Sequence, residues 1–131
     1  MADPRSLDAL DPPAWDAAPS DATYLVRRCH ELRLKPVEDF DAEDLRLMIG
    51  QQVGLAVLVP AALTQLRADP LVEGDYFPGD LLLNVLRVEQ SFWTDHPALT
   101  SQLDAALDAI PPDITLDPEL SDRIASYRTR R

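Results

Sequence analysis

Residues 44–55 read DLRLMIGQQVGL, residues 59–88 read VPAALTQLRADPLVEGDYFPGDLLLNVLRV, and residues 91–93 read SFW. Apolar residues recur here at helical spacing, interrupted by two acidic, Gly/Pro-punctuated turns. Leu45, Met48, Ile49 and Val53 form one stripe, with Asp41 ahead of it as a candidate N-cap and Asp44 at the third helical position. Gly50 and Gly54 predict a kink or turn over 50–54. Leu55 to Val59 alone could be a buried strand, but Pro60-Ala61-Ala62-Leu63 reads as a helix start. A helix is therefore expected from about 55 or 60 to Ala68, closed by Asp69-Pro70. Residues 69–79 form a turn-rich connection, and Asp80 stands where it can cap the next helix, LLLNVLRV. That helix is apolar on nearly every side, which suits the middle of a bundle. Phe92 and Trp93 follow as a core plug.

Outward from this run, the same signals continue. Ser20 or Asp21 can cap a helix to about Leu34 whose inner face carries Leu25, Cys29 and Leu32, and Lys35-Pro36 ends it. Asp95-His96-Pro97 opens an amphipathic helix with Leu99, Leu103, Leu107 and Ile110, stopped by Pro111-Pro112. Asp117-Pro118 opens a last one with Leu120, Ile124 and Tyr127. Residues 1–19, with Pro4, Pro12, Pro13 and Pro19 among small and acidic residues, read as a flexible acidic tail that Trp15 pins to the body. The expected architecture is all-α: one helical bundle of about six helices over residues 20–131.

A chain of 131 residues with 46% apolar content is suited to one domain with one core. Its charge is −11, from 23 acids against 12 bases. The last twelve residues carry four arginines and one aspartate, so residues 1–119 hold −14. Such acidity disfavours nucleic acid and anionic membrane as partners, since both need a basic footprint. It favours cationic protein partners and speeds their encounter. The acidic, proline-broken start lacks an apolar leader, no apolar run is long enough to span a bilayer, and Cys29 is the lone cysteine. A cytoplasmic location is expected from these features.

The residues that usually carry chemistry are scattered. His30 and His96 lie 66 positions apart, and neighbours Cys29 and His30 diverge by about 100° on a helix, a poor geometry for a dyad or chelate. No G-x-S-x-G elbow or P-loop occurs. Glu73, Asp75 and Asp80 supply hard oxygens, but the register of a calcium loop is absent and prolines break it. No catalytic residue, metal or cofactor is expected, and the chain is not read as an enzyme. The acids form the prominent feature instead: Glu38, Asp39, Asp41, Glu43 and Asp44 are five in seven residues, and residues 36–80 hold nine acids against Arg46 and Arg67, a net of −7. With Glu73 and Asp75 they make a candidate docking patch for a basic protein. Reversing Glu38, Asp39, Glu43 and Asp44 to lysine is expected to slow binding and leave the fold intact.

In chain order, DLRLMIGQ (44–51), GL (54–55), P-x-AL (60–63), DPLVEGDYFPGDLL (69–82) and SFW (91–93) resemble the immunity proteins of bacterial contact-dependent growth inhibition systems. The resemblance covers roughly residues 36–93. It implies a cytoplasmic antidote that binds the C-terminal toxin domain delivered by a neighbouring cell. Such toxins are commonly nucleases, whose basic cleft an acidic protein can cover. It further implies that Gly50, Pro60, Asp75, Tyr76, Gly79, Asp80 and Trp93 hold the fold while the toxin contacts lie elsewhere on the acidic surface; Asp75 belongs to both sets. The alternative is an adaptor or regulatory subunit that carries the same bundle and meets another basic protein.

Overall fold

Helix starts in this chain are set by short polar side chains, prolines and two left-handed glycines. In a computed structural model of the protein, which describes residues 5–130, the helices are α1 (Leu7–Leu10), α2 (Tyr24–Leu34), α3 (Ala42–Gly50), α4 (Leu55–Ala68), α5 (Asp80–Leu86), α6 (Gln90–Asp95), α7 (Pro97–Asp108) and α8 (Pro118–Thr129). A 3-10 turn at Val37–Asp39 joins α2 to α3. No strand occurs among the described residues, only isolated bridges between Ser6 and Pro36 and between Glu73 and Pro78. The all-α bundle holds, and the six long helices expected from spacing are present. The two extra ones, α1 and α6, have four and six residues, too short to show a helical period.

Thr23, and not Ser20 or Asp21, caps α2 by accepting from the Val26 amide. Asp41 caps α3 in a reciprocal box: its Oδ1 accepts from the Asp44 amide at 2.8 Å, and Asp44 Oδ2 accepts from the Asp41 amide at 3.2 Å. The expected turn over 50–54 forms with Gln52 and Gly54 both at φ 61°. Helix α4 then starts at Leu55, which places Pro60 at its sixth residue and not its first. The missing proline N–H leaves the carbonyl one turn back unpaired within the helix, and that residue, Ala56, is exposed to water.

Helix α5 is the axis of the domain. All seven of its residues are buried, and it packs on α3, α4 and α8. Around it α3 meets α2 and α4, and α4 meets α7. Leu45, Met48, Ile49, Leu63, Leu66, Leu82, Leu86, Trp93, Leu103 and Leu107 share one core with Leu120 and Tyr127. Gly50 lets α5 come close: a Cβ there would sit 2.7 Å from Asn84 Nδ2, the atom that donates to the Arg46 carbonyl.

The segment read as a flexible tail is laid onto this body from residue 5; residues 1–4 lie outside the described residues. Leu7 is fully buried, and a Cβ on Gly54 would meet its methyls at 2.8 Å. Buried Arg33 holds the segment through Asp8 (2.6 Å), Asp11 Oδ2 (3.3 Å) and the carbonyls of Asp11 and Pro13. Trp15 packs edge-on against His30 and lies 4.7 Å from the Arg33 guanidinium. Trp15, the expected pin, makes these contacts, while Leu7 and Arg33 are anchors that give no periodic signal.

Gly79 precedes α5 at φ 92°, and a Cβ there would fall 2.5 Å from Leu120 Cδ2. Gly79→Ala is expected to cost about 1–2 kcal/mol from the backbone alone, with the clash against α8 added. A thermal melt checks this; an unchanged midpoint would show that the turn relaxes freely.

Candidate protein-docking surface

The loop between α4 and α5 is built inward on carboxylates. Asp80, 3% exposed, accepts from the amides of Gly74 (2.7 Å), Tyr76 (3.0 Å) and Phe77 (3.4 Å). The remaining amide of this run, Asp75, donates to Glu43 Oε1 at 2.9 Å. Asp80 is therefore not the N-cap of α5, a position that Gly79 takes; it is the first helical residue and an anchor for the loop. Gly74 is needed there, because a Cβ would lie 2.7 Å from Glu43 Oε1. Arg46 completes the arrangement with two 2.6 Å hydrogen bonds to the Glu43 carboxylate, and its guanidinium lies 4.4 Å from the centre of the Tyr76 ring.

This pairing holds the Glu43 carboxyl below its usual range. Hydrogen bonding from Arg46 is the main cause; burial opposes it, and the Asp75 amide adds to the lowering. Arg46 is raised in turn, first by its hydrogen bonds to Glu43. A depressed carboxylate stabilises the fold fully above its unfolded pKa, and that contribution is lost as pH falls through the lowered folded value. Glu43 is expected to titrate below an ordinary glutamate, with Arg46→Gln moving it back up, as a carboxyl-carbon NMR titration would read. A Glu43 midpoint at or above the ordinary value in the wild type would contradict the pairing.

The seven carboxylates of the expected patch do not all line one concavity. Asp41, Glu43, Asp44 and Asp75 line a groove of about 590 Å³ between α2, α3 and the 73–79 loop. Glu38 lines a separate shallow depression beside the 3-10 turn, and Asp39 and Glu73 line neither. Two of the seven are paired with internal cations, and Asp41 Oδ1 is engaged as the α3 cap. Asp44 is 4% exposed and accepts from Arg28 Nη2 (3.2 Å) and Lys35 Nζ (2.7 Å), while Glu43 is taken by Arg46 and the loop. The expectation that both can be reversed without touching the fold is thereby corrected. Their cations lie three residues away for Glu43 and nine and sixteen for Asp44, and only the packing of α2 on α3 shows the second pairing. Glu38, Asp39, Asp41, Glu73 and Asp75 remain exposed and make no ion pair among the described residues.

Of the residues expected to hold the fold, Gly50, Gly79, Asp80 and Trp93 are seated in tight contacts. Tyr76 is 69% exposed, with its ring on the Arg46 guanidinium and its amide donating to Asp80. A second acidic stretch escaped the sequence reading: residues 88–122 hold eight acids and no lysine or arginine. Counting charge over that window alone reveals it. Glu89, Asp95, Asp113 and Asp122 of this stretch are exposed and without ion pairs among the described residues. No group of three or more His, Cys, Asp or Glu is placed to hold a metal ion among the described residues, and none of their helices is long and apolar enough to cross a membrane.

Residues 9–103 match the family model of CDI immunity proteins, and the chain belongs to that family. The match covers α2 to α6, the groove and the 73–79 loop, and stops within α7. No curated protein and no solved structure matches the chain.

Proposed function

We propose that this chain binds and neutralises the toxin domain of one cognate contact-dependent growth inhibition system, in the cytoplasm, by association without catalysis. Family membership supports the toxin as partner. The observation that supports an electrostatic approach is the set of exposed carboxylates without internal cations, Glu38, Asp39, Asp41, Glu73 and Asp75, on a chain of charge −11. A nuclease is the toxin class that this charge fits, because its phosphate-binding cleft is basic. Exposed charges act mainly on the encounter rate and are screened beyond about 8 Å at physiological ionic strength.

Co-expression with the toxin domain encoded beside this chain provides the test. The wild-type chain is expected to protect cells, and association to slow as salt rises. Glu38→Lys, Asp39→Lys and Glu73→Lys together are expected to slow association by roughly tenfold or more with the melting temperature little changed. Glu89→Lys, Asp95→Lys and Asp113→Lys make the same change in net charge elsewhere and are expected to slow it less. Equal slowing by the two sets would assign the effect to overall charge. Failure of the wild-type chain to protect would end the immunity reading itself.

A further inference from the structure

We propose that the groove between α2, α3 and the 73–79 loop is the seat of the toxin, and that it receives a lysine- or arginine-bearing segment between the rings of Tyr24 and Tyr76. This rests on the reading above and names the surface that carries it. Tyr24 and Tyr76 are each 69% exposed, and with Leu25 they line the same groove. Single exposed apolar residues are ordinary, but two tyrosines and a leucine converging on one concavity mark a contact surface.

The Tyr76 side is set in place before any partner arrives. The amides of residues 74–77 are all taken by Asp80 and Glu43, and one face of the ring lies on an arginine that Glu43 holds by two hydrogen bonds. An anchor already held in position loses little conformational freedom on binding. The ring lies outside the core, with Arg46 on one face.

Charge decides the occupant. Four carboxylates and two guanidinium groups line the groove, a net of −2. Both arginines are already engaged, Arg28 by Asp44 and Arg46 by Glu43, so they offer little to an incoming anion. The Asp75 carboxylate has no ion pair among the described residues. A carboxylate beside aromatic faces suits a guanidinium or ammonium group with its aliphatic stem.

The experiment measures the Kd of the adjacent-encoded toxin domain for the purified full chain and its variants. Tyr24→Ala and Tyr76→Ala are each expected to weaken binding about tenfold or more, and Asp75→Lys likewise, with melting temperatures near wild type. Tyr76→Phe is expected to keep wild-type affinity, since it retains the ring. Should Tyr76→Ala disturb the loop, Tyr24→Ala decides, because Tyr24 lies outside it. Wild-type affinity in a folded Tyr24→Ala, Tyr76→Ala double variant would overturn the groove and leave the immunity reading standing. No binding by the wild-type chain would overturn both.

Discussion

Asp44→Lys is expected to lower the unfolding free energy by roughly 3–5 kcal/mol, the range for disrupting a buried ion pair. The substitution removes the carboxylate shared by Arg28 and Lys35, breaks the capping box of α3, and places a third cation beside two others at a site 4% exposed. Arg28 and Lys35 are themselves 33% and 34% exposed, so water can still hydrate them. Asp44→Ala is therefore expected to cost less, roughly 1–3 kcal/mol. Glu38→Lys, six residues earlier and exposed, is expected to stay within about 0.5 kcal/mol of wild type. Urea denaturation separates these outcomes. A wild-type midpoint for Asp44→Lys would mean that the carboxylate is free in solution, and Asp44 would return to the docking surface.

Asp80→Ala is expected to cost roughly 2–4 kcal/mol, from losing charge-assisted hydrogen bonds to three backbone amides. A simple N-cap substitution costs only about 0.5–2 kcal/mol, so the size of the loss distinguishes an anchor for the loop from a cap. The loop should also lose order: amide exchange at Gly74, Tyr76 and Phe77 is expected to accelerate before α5 itself opens. Loss confined to the first turn of α5, with these three amides unchanged, would restore the capping role. If Tyr76 anchors the toxin, Asp80→Ala should also weaken binding, although Asp80 is buried beneath the loop.

Residue spacing made most of the fold legible. The stripes Leu45-Met48-Ile49 and Leu99-Leu103-Leu107 repeat at helical period, and Asp41, Pro97 and Asp117-Pro118 mark helix starts through local chemistry. A run such as 81–86, LLLNVL, apolar on nearly every side, has few places to be except the centre of a bundle. Where sequence reasoning stopped, the missing information was long-range. Trp15 was legible as a pin for the N-terminal segment, but Arg33 and Asp8 are 25 positions apart, so nothing local showed the ion pair that holds it.

The site was legible only as a count of charge. Residues 36–80 carry an excess of nine acids over two bases, yet a count cannot distinguish a carboxylate in water from one taken by Lys35 and Arg28 or by three amides of a loop. Periodic burial of apolar side chains depends on neighbours three and four positions away, which is why the sequence alone determined the six longer helices and most of the core, while the caps of α2 and α5, the two short helices and the burial of Leu7 came from the tertiary structure. Ion pairs and exposed aromatics depend on where whole helices meet. The packing of α2 on α3, and of the 73–79 loop on Glu43 and Asp80, therefore decided which acids remain available to a partner, and set Tyr24 and Tyr76 on one groove.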